Sequence, residues 1–183
     1  MSITRKLFYA IAFQAGWFFC ILAGNWISLA YAVIFLTIHF WLLAQDRYFS
    51  LRKEIYWIGI VAIGGLILET ISFSAAFLLY GESAILFEYL ALPPLWLLNL
   101  WIIFAIALRT CLSFIFYNPK ITYLSACLCI PLNYYAGAKL NNHVNISEPY
   151  TLSLATITLM WLILLRVLIH LKRHYFEDIF NAG

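Results

Sequence analysis

Glu69 is the residue whose chemistry most needs a setting. It stands in Gly64-Gly65-Leu66-Ile67-Leu68-Glu69-Thr70-Ile71-Ser72, within a run that otherwise reads as a membrane-spanning helix. An ionised group at the centre of such a helix costs roughly 2.5–3.5 kcal/mol on insertion scales, so a carboxylate there calls for a partner, a polar cavity or a proton. Arg109 is the cation the spacing offers, and a Glu69–Arg109 pair is the expectation. Other spans add polar groups at similar depth. At a rise of about 1.5 Å per residue, Glu69 falls within ~3 Å of the midplane and Arg109 and His39 about 5–6 Å toward one face. Gln14 and Asn133 fall within about 5 Å of the midplane on either side. Five polar side chains on five helices point to a midplane pocket or proton path; the plain alternative is a structural bridge between helices.

The remaining reactive groups carry less. His170, His174 and Glu177 share one helix face at a spacing that could chelate a metal, but on a charged tail they read as decoration of a polar face. Cys20, Cys111, Cys127 and Cys129 all lie in apolar segments, and Cys127-x-Cys129 directs its thiols to different sides of a helix, so neither a disulfide framework nor a zinc site is expected. No phosphate loop, nucleophile elbow or His-Glu-x-x-His motif is present. The expectation is no metal, no cofactor and no nucleic acid, with catalysis not favoured.

These residues sit in a chain of 183 residues that is 65% hydrophobic and only 10% charged. With a mean hydropathy of +0.91 it lies far from the soluble globular class. Aromatics at 19% suit a protein with two lipid–water interfaces. Six apolar segments, about 7–25, 26–44, 55–80, 95–116, 121–139 and 151–170, approach the roughly 20 residues a spanning helix needs. Gly24-Asn25 separates the first two as a tight reversal. The fold class predicted is an all-α integral membrane protein: one domain, 1–183, built as a compact six-helix transmembrane bundle. Residues 171–183 read as an amphipathic tail lying at the interface. Residues 81–94, ending in Pro93-Pro94, are too apolar for a solvated loop and read as an interfacial or re-entrant piece; residues 140–150 read as an ordinary polar loop.

Charge then sets orientation. Under six spans Arg5, Lys6, Arg47, Arg52, Lys53, Lys120, Lys172 and Arg173 share one side, and the other has Lys139 with Glu82, Glu88 and Glu148. That asymmetry places both termini in the cytoplasm. Each span also carries a polar and small-residue stripe at helical spacing: Gln14 on the first; Ser28, Ala32, Phe35 and His39 on the second; Gly65, Glu69 and Ser72 on the third. The fourth has Asn99, Ile106 and Arg109, and the fifth Thr122, Ser125, Cys129, Asn133 and Gly137. Pro131 should kink the fifth beside Asn133.

Four pieces carry a family resemblance: Phe13-Gln14-Ala15-Gly16-Trp17, the Gly-Gly-Leu-Ile-Leu-Glu run ending at Glu69, Pro93-Pro94-Leu95-Trp96-Leu97-Leu98-Asn99-Leu100-Trp101, and Pro131-Leu132-Asn133-Tyr134-Tyr135-Ala136-Gly137-Ala138-Lys139-Leu140. Their order and spacing resemble small bacterial inner-membrane proteins of domain-of-unknown-function family 2878. The resemblance spans most of the chain. It implies a bacterial inner-membrane address and no biochemical activity. The leading expectation is thus a bilayer protein with a pocket lined by Glu69, Arg109, His39, Gln14 and Asn133 that binds or transports a small molecule or lipid headgroup. A lipid-modifying membrane enzyme and an accessory subunit bound to a membrane-protein partner are the other two readings.

Overall fold

Gly24 turns one continuous 41-residue helix, α1 (Ile3–Leu43), into a hairpin. Its backbone sits at φ 76, ψ −170, a region open to glycine and strained for a residue with a Cβ. The Tyr9 hydroxyl lies 3.0 Å from His39 Nδ1, although 30 residues separate them. In a straight helix that separation would be about 45 Å. Tyr31 likewise donates to the Ala12 carbonyl at 2.6 Å, and Arg5 reaches Asp46 at 2.9 Å. Two antiparallel arms, 3–23 and 25–43, therefore meet at Gly24, where the sequence reading put its reversal.

The computed structural model describes residues 2–46, 49–81, 92–141 and 143–181. After α1 come α2 (Leu51–Ser74), β1 (Leu78–Tyr80), α3 (Leu95–Arg109), a 3₁₀ turn (Ser113–Phe116), α4 (Pro119–Leu140), β2 (Val144–Ile146), α5 (Tyr150–Tyr175) and α6 (Glu177–Asn181). By length and composition α1, α2 and α5 could each cross a membrane, and α3 is a shorter apolar helix. Most of segment 81–94, with Glu82 and Glu88, and also Arg47, lies outside the described residues.

Several boundaries differ from the sequence reading, each for a local reason. The third segment does not run on to residue 80. α2 stops at Ser74, Ala76 takes a left-handed φ of 56, and the chain re-enters as β1. β1 pairs antiparallel with β2, Leu78 opposite Ile146 and Tyr80 opposite Val144. The stretch expected as a plain polar loop thus contains a strand, with Val144 and Ile146 buried on one face and Asn145 exposed on the other. α3 ends at Arg109, not 116, because Thr110 leaves the helical backbone region at φ −114, ψ −94 and the Leu112 N–H bonds the Ala107 carbonyl. The last helix runs to Tyr175 and is followed by α6. This segment folds back and buries Phe176, Ile179 and Phe180 around Trp57 and Phe116.

α3 is the axis of the bundle. Ile103, Ala105, Ile106, Ala107 and Leu108 are wholly buried, as expected of a helix apolar all round. Both arms of α1 pack on it, through Phe13–Phe104 and through Ser28 Oγ accepting from Asn99 Nδ2 at 2.9 Å. Asn25, just past the hairpin turn, accepts from the Trp96 N–H and satisfies a donor that the first turn of α3 leaves open. α2 covers a second side of α3, and α5 bridges α2 and α4. α4 meets α1 at few positions. The ring of helices is therefore incompletely closed between them.

Candidate functional site

That gap is the mouth of a cavity of about 380 Å³ running along α4 between the first arm of α1, α3 and α5. Thr122, Ser125, Cys129, Asn133 and Gly137, the stripe read from the sequence, all line it. From Thr122 to Gly137 is about 22 Å of helix, so the cavity is elongated. Most of its wall is apolar and aromatic, and Gln14, Glu69 and Asn133 are among the few polar groups. Gln14 and Asn133 are exposed at the protein surface and so stand at the opening, whereas Glu69 is 1% exposed at the inner wall. Asn133 Nδ2 donates within its own helix to the Cys129 carbonyl at 2.7 Å. The helix runs through Pro131, two residues before Asn133.

The position of Glu69 follows from a glycine one turn earlier. A Cβ on Gly65 would lie 1.9 Å from Trp101 Cδ2, so the bare helix surface there is what lets the indole lie flat on α2. Trp101 is then delivered to the next turn, where its Nε1–H donates to Glu69 Oε1 at 3.2 Å. Tyr134 of α4 donates to the same oxygen at 2.5 Å, and Trp161 of α5 donates to the Tyr134 hydroxyl at 3.0 Å. The two indoles stack at 4.5 Å with 20° between their planes. Donors from two helices thus converge on Oε1, with Trp161 of a third behind Tyr134, while Oε2 is buried with no hydrogen-bond partner among the described residues. Trp101, Tyr134 and Trp161 did not enter the sequence reading of the pocket. The Trp101–Asn99 neighbourhood was visible as a motif, but nothing in it announced a donor to Glu69.

Arg109 is elsewhere, and the expected Glu69–Arg109 pair does not form. Its Nε donates to Glu54 Oε1 at 3.0 Å. Fifteen residues of α2 separate Glu54 from Glu69, about 22 Å of rise, which no arginine spans. The depth estimate failed because both boundaries moved: α2 lies nearer the N-terminus than 55–80, carrying Glu69 toward one end, and the early stop of α3 leaves Arg109 at the other. His39 belongs with Arg109. Its Nε2 is 3.7 Å from Glu54 Oε2, beyond hydrogen-bonding reach, and its Nδ1 meets the Tyr9 hydroxyl. Tyr9, His39, Glu54 and Arg109 are all nearly or fully buried, so this is an internal ion cluster distinct from the cavity. α6 closes it, with Arg109 and the buried Lys172 set over the Phe180 ring at 5.4 and 5.6 Å. Glu54, which the sequence reading left outside the third span, is the residue it missed. Of the five predicted pocket residues, Gln14, Glu69 and Asn133 come together and Arg109 and His39 do not.

The basic groups Arg5, Lys53, Lys172 and Arg173 belong to element ends on one side of the bundle, and Gly24 and the β1–β2 pair to the other. Lys53 pairs with Asp178 of α6 at 2.6 Å, and that lysine holds the Asp178 carboxyl below its usual range. His170 and His174 are neighbours, their ring centroids 4.3 Å apart.

No curated protein and no solved structure matches the chain. The family model described as protein of unknown function (DUF2878) matches residues 6–167, a range that contains every residue lining the cavity, and the chain belongs to that family.

Proposed function

We propose that this is a six-span protein of a bacterial inner membrane, both termini cytoplasmic, whose cavity binds an amphipathic small molecule or lipid and passes or holds it within the bilayer. The six spans would be the two arms of α1 with α2, α3, α4 and α5. The observation that carries the reading is a carboxylate buried on the wall of an elongated, aromatic-lined cavity with one oxygen left without a partner among the described residues. A buried polar atom without a hydrogen bond costs about 1–3 kcal/mol, and a ligand donor would recover it. The volume falls within the roughly 300–1,000 Å³ of small-molecule sites, which combine apolar walls with a few placed polar groups. Gln14 and Asn133, exposed on facing helices, mark an entry from the side of the bundle, where a bilayer would lie. Clustered basic residues at the ends that include both termini support the orientation.

The test is native mass spectrometry of protein released from nanodiscs, wild type beside Glu69→Gln and Cys129→Phe. The first variant removes the carboxylate charge, and the second fills the cavity without touching Glu69. An adduct present in wild type and lost from both supports the reading. A wild-type protein that carries none, or an adduct indifferent to both changes, removes it.

A further inference from the structure

We infer that the polar end of the ligand is a protonated amine, seated against Glu69 Oε2 within aromatic walls and carried on an apolar body. The inference rests on the reading of the cavity as a binding site and names what the site selects.

Three observations point the same way. The first is charge. Among the described residues lining the cavity, Glu69 is the one with a formal charge, and no lysine, arginine or histidine joins it. No cation among the described residues lies within ion-pair distance of Glu69, because Arg109 and His39 are committed to Glu54. An anionic ligand would meet like charge in a low-dielectric wall with no compensating group, so phosphates and carboxylates are disfavoured.

The second is the direction of the hydrogen bonds. Trp161 Nε1 donates to the Tyr134 oxygen, Tyr134 then donates to Glu69 Oε1, and Trp101 Nε1 donates to that same oxygen. An indole N–H can only donate, so the whole chain runs toward the carboxyl group and concentrates acceptor character there. Among the described residues Oε1 is supplied twice and Oε2 not at all; Oε2 itself is buried, so the carboxyl turns toward the cavity when it meets a ligand. What the vacant oxygen takes is a donor, and a charged N–H donor is worth more than a neutral one in a buried site.

The third is the wall. Phe13, Phe104 and Trp161 form a continuous run of rings, with centroid separations of 6.0 and 5.4 Å between successive members, while the faces of Trp101 behind them are taken by α2 and by Trp161. Ring faces attract a cation within about 6 Å of the centroid, and a desolvated ammonium gains most from them. Metal cations fit poorly: a hard divalent ion wants six or more oxygen ligands, whereas this wall offers one carboxylate among indoles and phenyl rings. The apolar remainder of the cavity asks for hydrocarbon on the ligand, so free ammonium or a small polar amine leaves most of it unfilled.

The experiment compares three probes that share one apolar body and differ at the end: 4-phenylbutylamine, 4-phenylbutanol and 4-phenylbutyrate. Equilibrium dialysis and tryptophan fluorescence would follow binding to the full-length protein in nanodiscs of uncharged lipid at pH 7, with empty nanodiscs as the partitioning blank. The amine should bind wild type at least ten times more tightly than the alcohol, and the butyrate should not bind above the blank. In Glu69→Gln the amine should lose that advantage. If that variant does not fold, the ordering of the three probes on wild type stands as the test by itself. Alcohol binding as tight as amine, or an amine preference that survives Glu69→Gln, overturns the assignment of the amine while leaving the cavity as a binding site. Failure of all three probes to exceed the blank overturns both.

Discussion

A single methyl group at Gly65 tests how the candidate site is assembled. A Cβ built there lies 1.9 Å from Trp101 Cδ2 and 2.4 Å from Cε2 and Cε3, so the indole must retreat to reach even the 3.4 Å of ordinary contact. It has little room to do so, being 3% exposed and stacked on Trp161 at 4.5 Å. Overpacking of this kind costs about 1–3 kcal/mol, and losing the Trp101 hydrogen bond to a carboxylate adds about 1.5–3 kcal/mol. Replacing a helical glycine by alanine returns up to about 1 kcal/mol. Gly65→Ala should therefore lower stability by about 1.5–6 kcal/mol. Its neighbours serve as controls on the same helix. At Gly64 the new Cβ meets only the end of the Leu164 side chain at 2.8 Å, which can swing aside, and at Gly59 it meets nothing within 4 Å. Gly59→Ala should be neutral or slightly stabilising and Gly64→Ala close to neutral. Unfolding in mixed micelles with increasing SDS, followed by tryptophan fluorescence, ranks the three. Equal midpoints for Gly65→Ala and Gly59→Ala would refute the view that a bare helix surface seats Trp101 against Glu69.

Two further outcomes follow from the basic end of the bundle. Glu54→Gln should destabilise by about 3–5 kcal/mol because it leaves Arg109 buried without its counter-charge, and Glu54→Leu with Arg109→Met should be more stable than Glu54→Leu alone; the same SDS titration checks the order. The Lys53–Asp178 pair, both partners exposed, should matter by less than about 1 kcal/mol. Since the Asp178 carboxyl is held below the ordinary 3.8, its contribution is present above that pH and is lost as pH falls through the lowered value; a pH series on wild type and Asp178→Asn should converge at the acid end.

Composition and helical periodicity made the mostly helical character and the long apolar helices legible. The α4 stripe needed nothing beyond 3.6-residue spacing, and all five of its members line one cavity. The turn at Gly24 was legible for a similar reason, since a lone glycine beside asparagine divides a run too long for one span. What spacing could not convey was depth. Segment ends read from hydropathy were displaced by several residues wherever the stop was made by a local break in the backbone, as at Thr110, or by a strand partner 68 residues away, as at Leu78 opposite Ile146. Depth errors of that size decide partners. They put Arg109 beside Glu69 on paper and beside Glu54 in the fold.

The separation of the two polar groups is what gives the cavity its character. Had Arg109 reached Glu69, the wall would have been neutral and its hydrogen bonds closed, a bridge between helices with nothing left to offer. Instead Arg109 and His39 are gathered around Glu54 near one end of α2, under the ring of Phe180. Glu69, about 22 Å along the same helix, keeps only neutral donors. A buried carboxylate held this way is costly to the fold, and three helices supply residues that aim it. Trp101, Tyr134 and Trp161 would be an elaborate arrangement for a strut, since an apolar side chain at residue 69 would pack α2 against α3 without any of them. The pairing of a sacrificed local stability with an oriented, half-satisfied carboxyl group supports the proposal that Glu69 is where this protein meets a ligand.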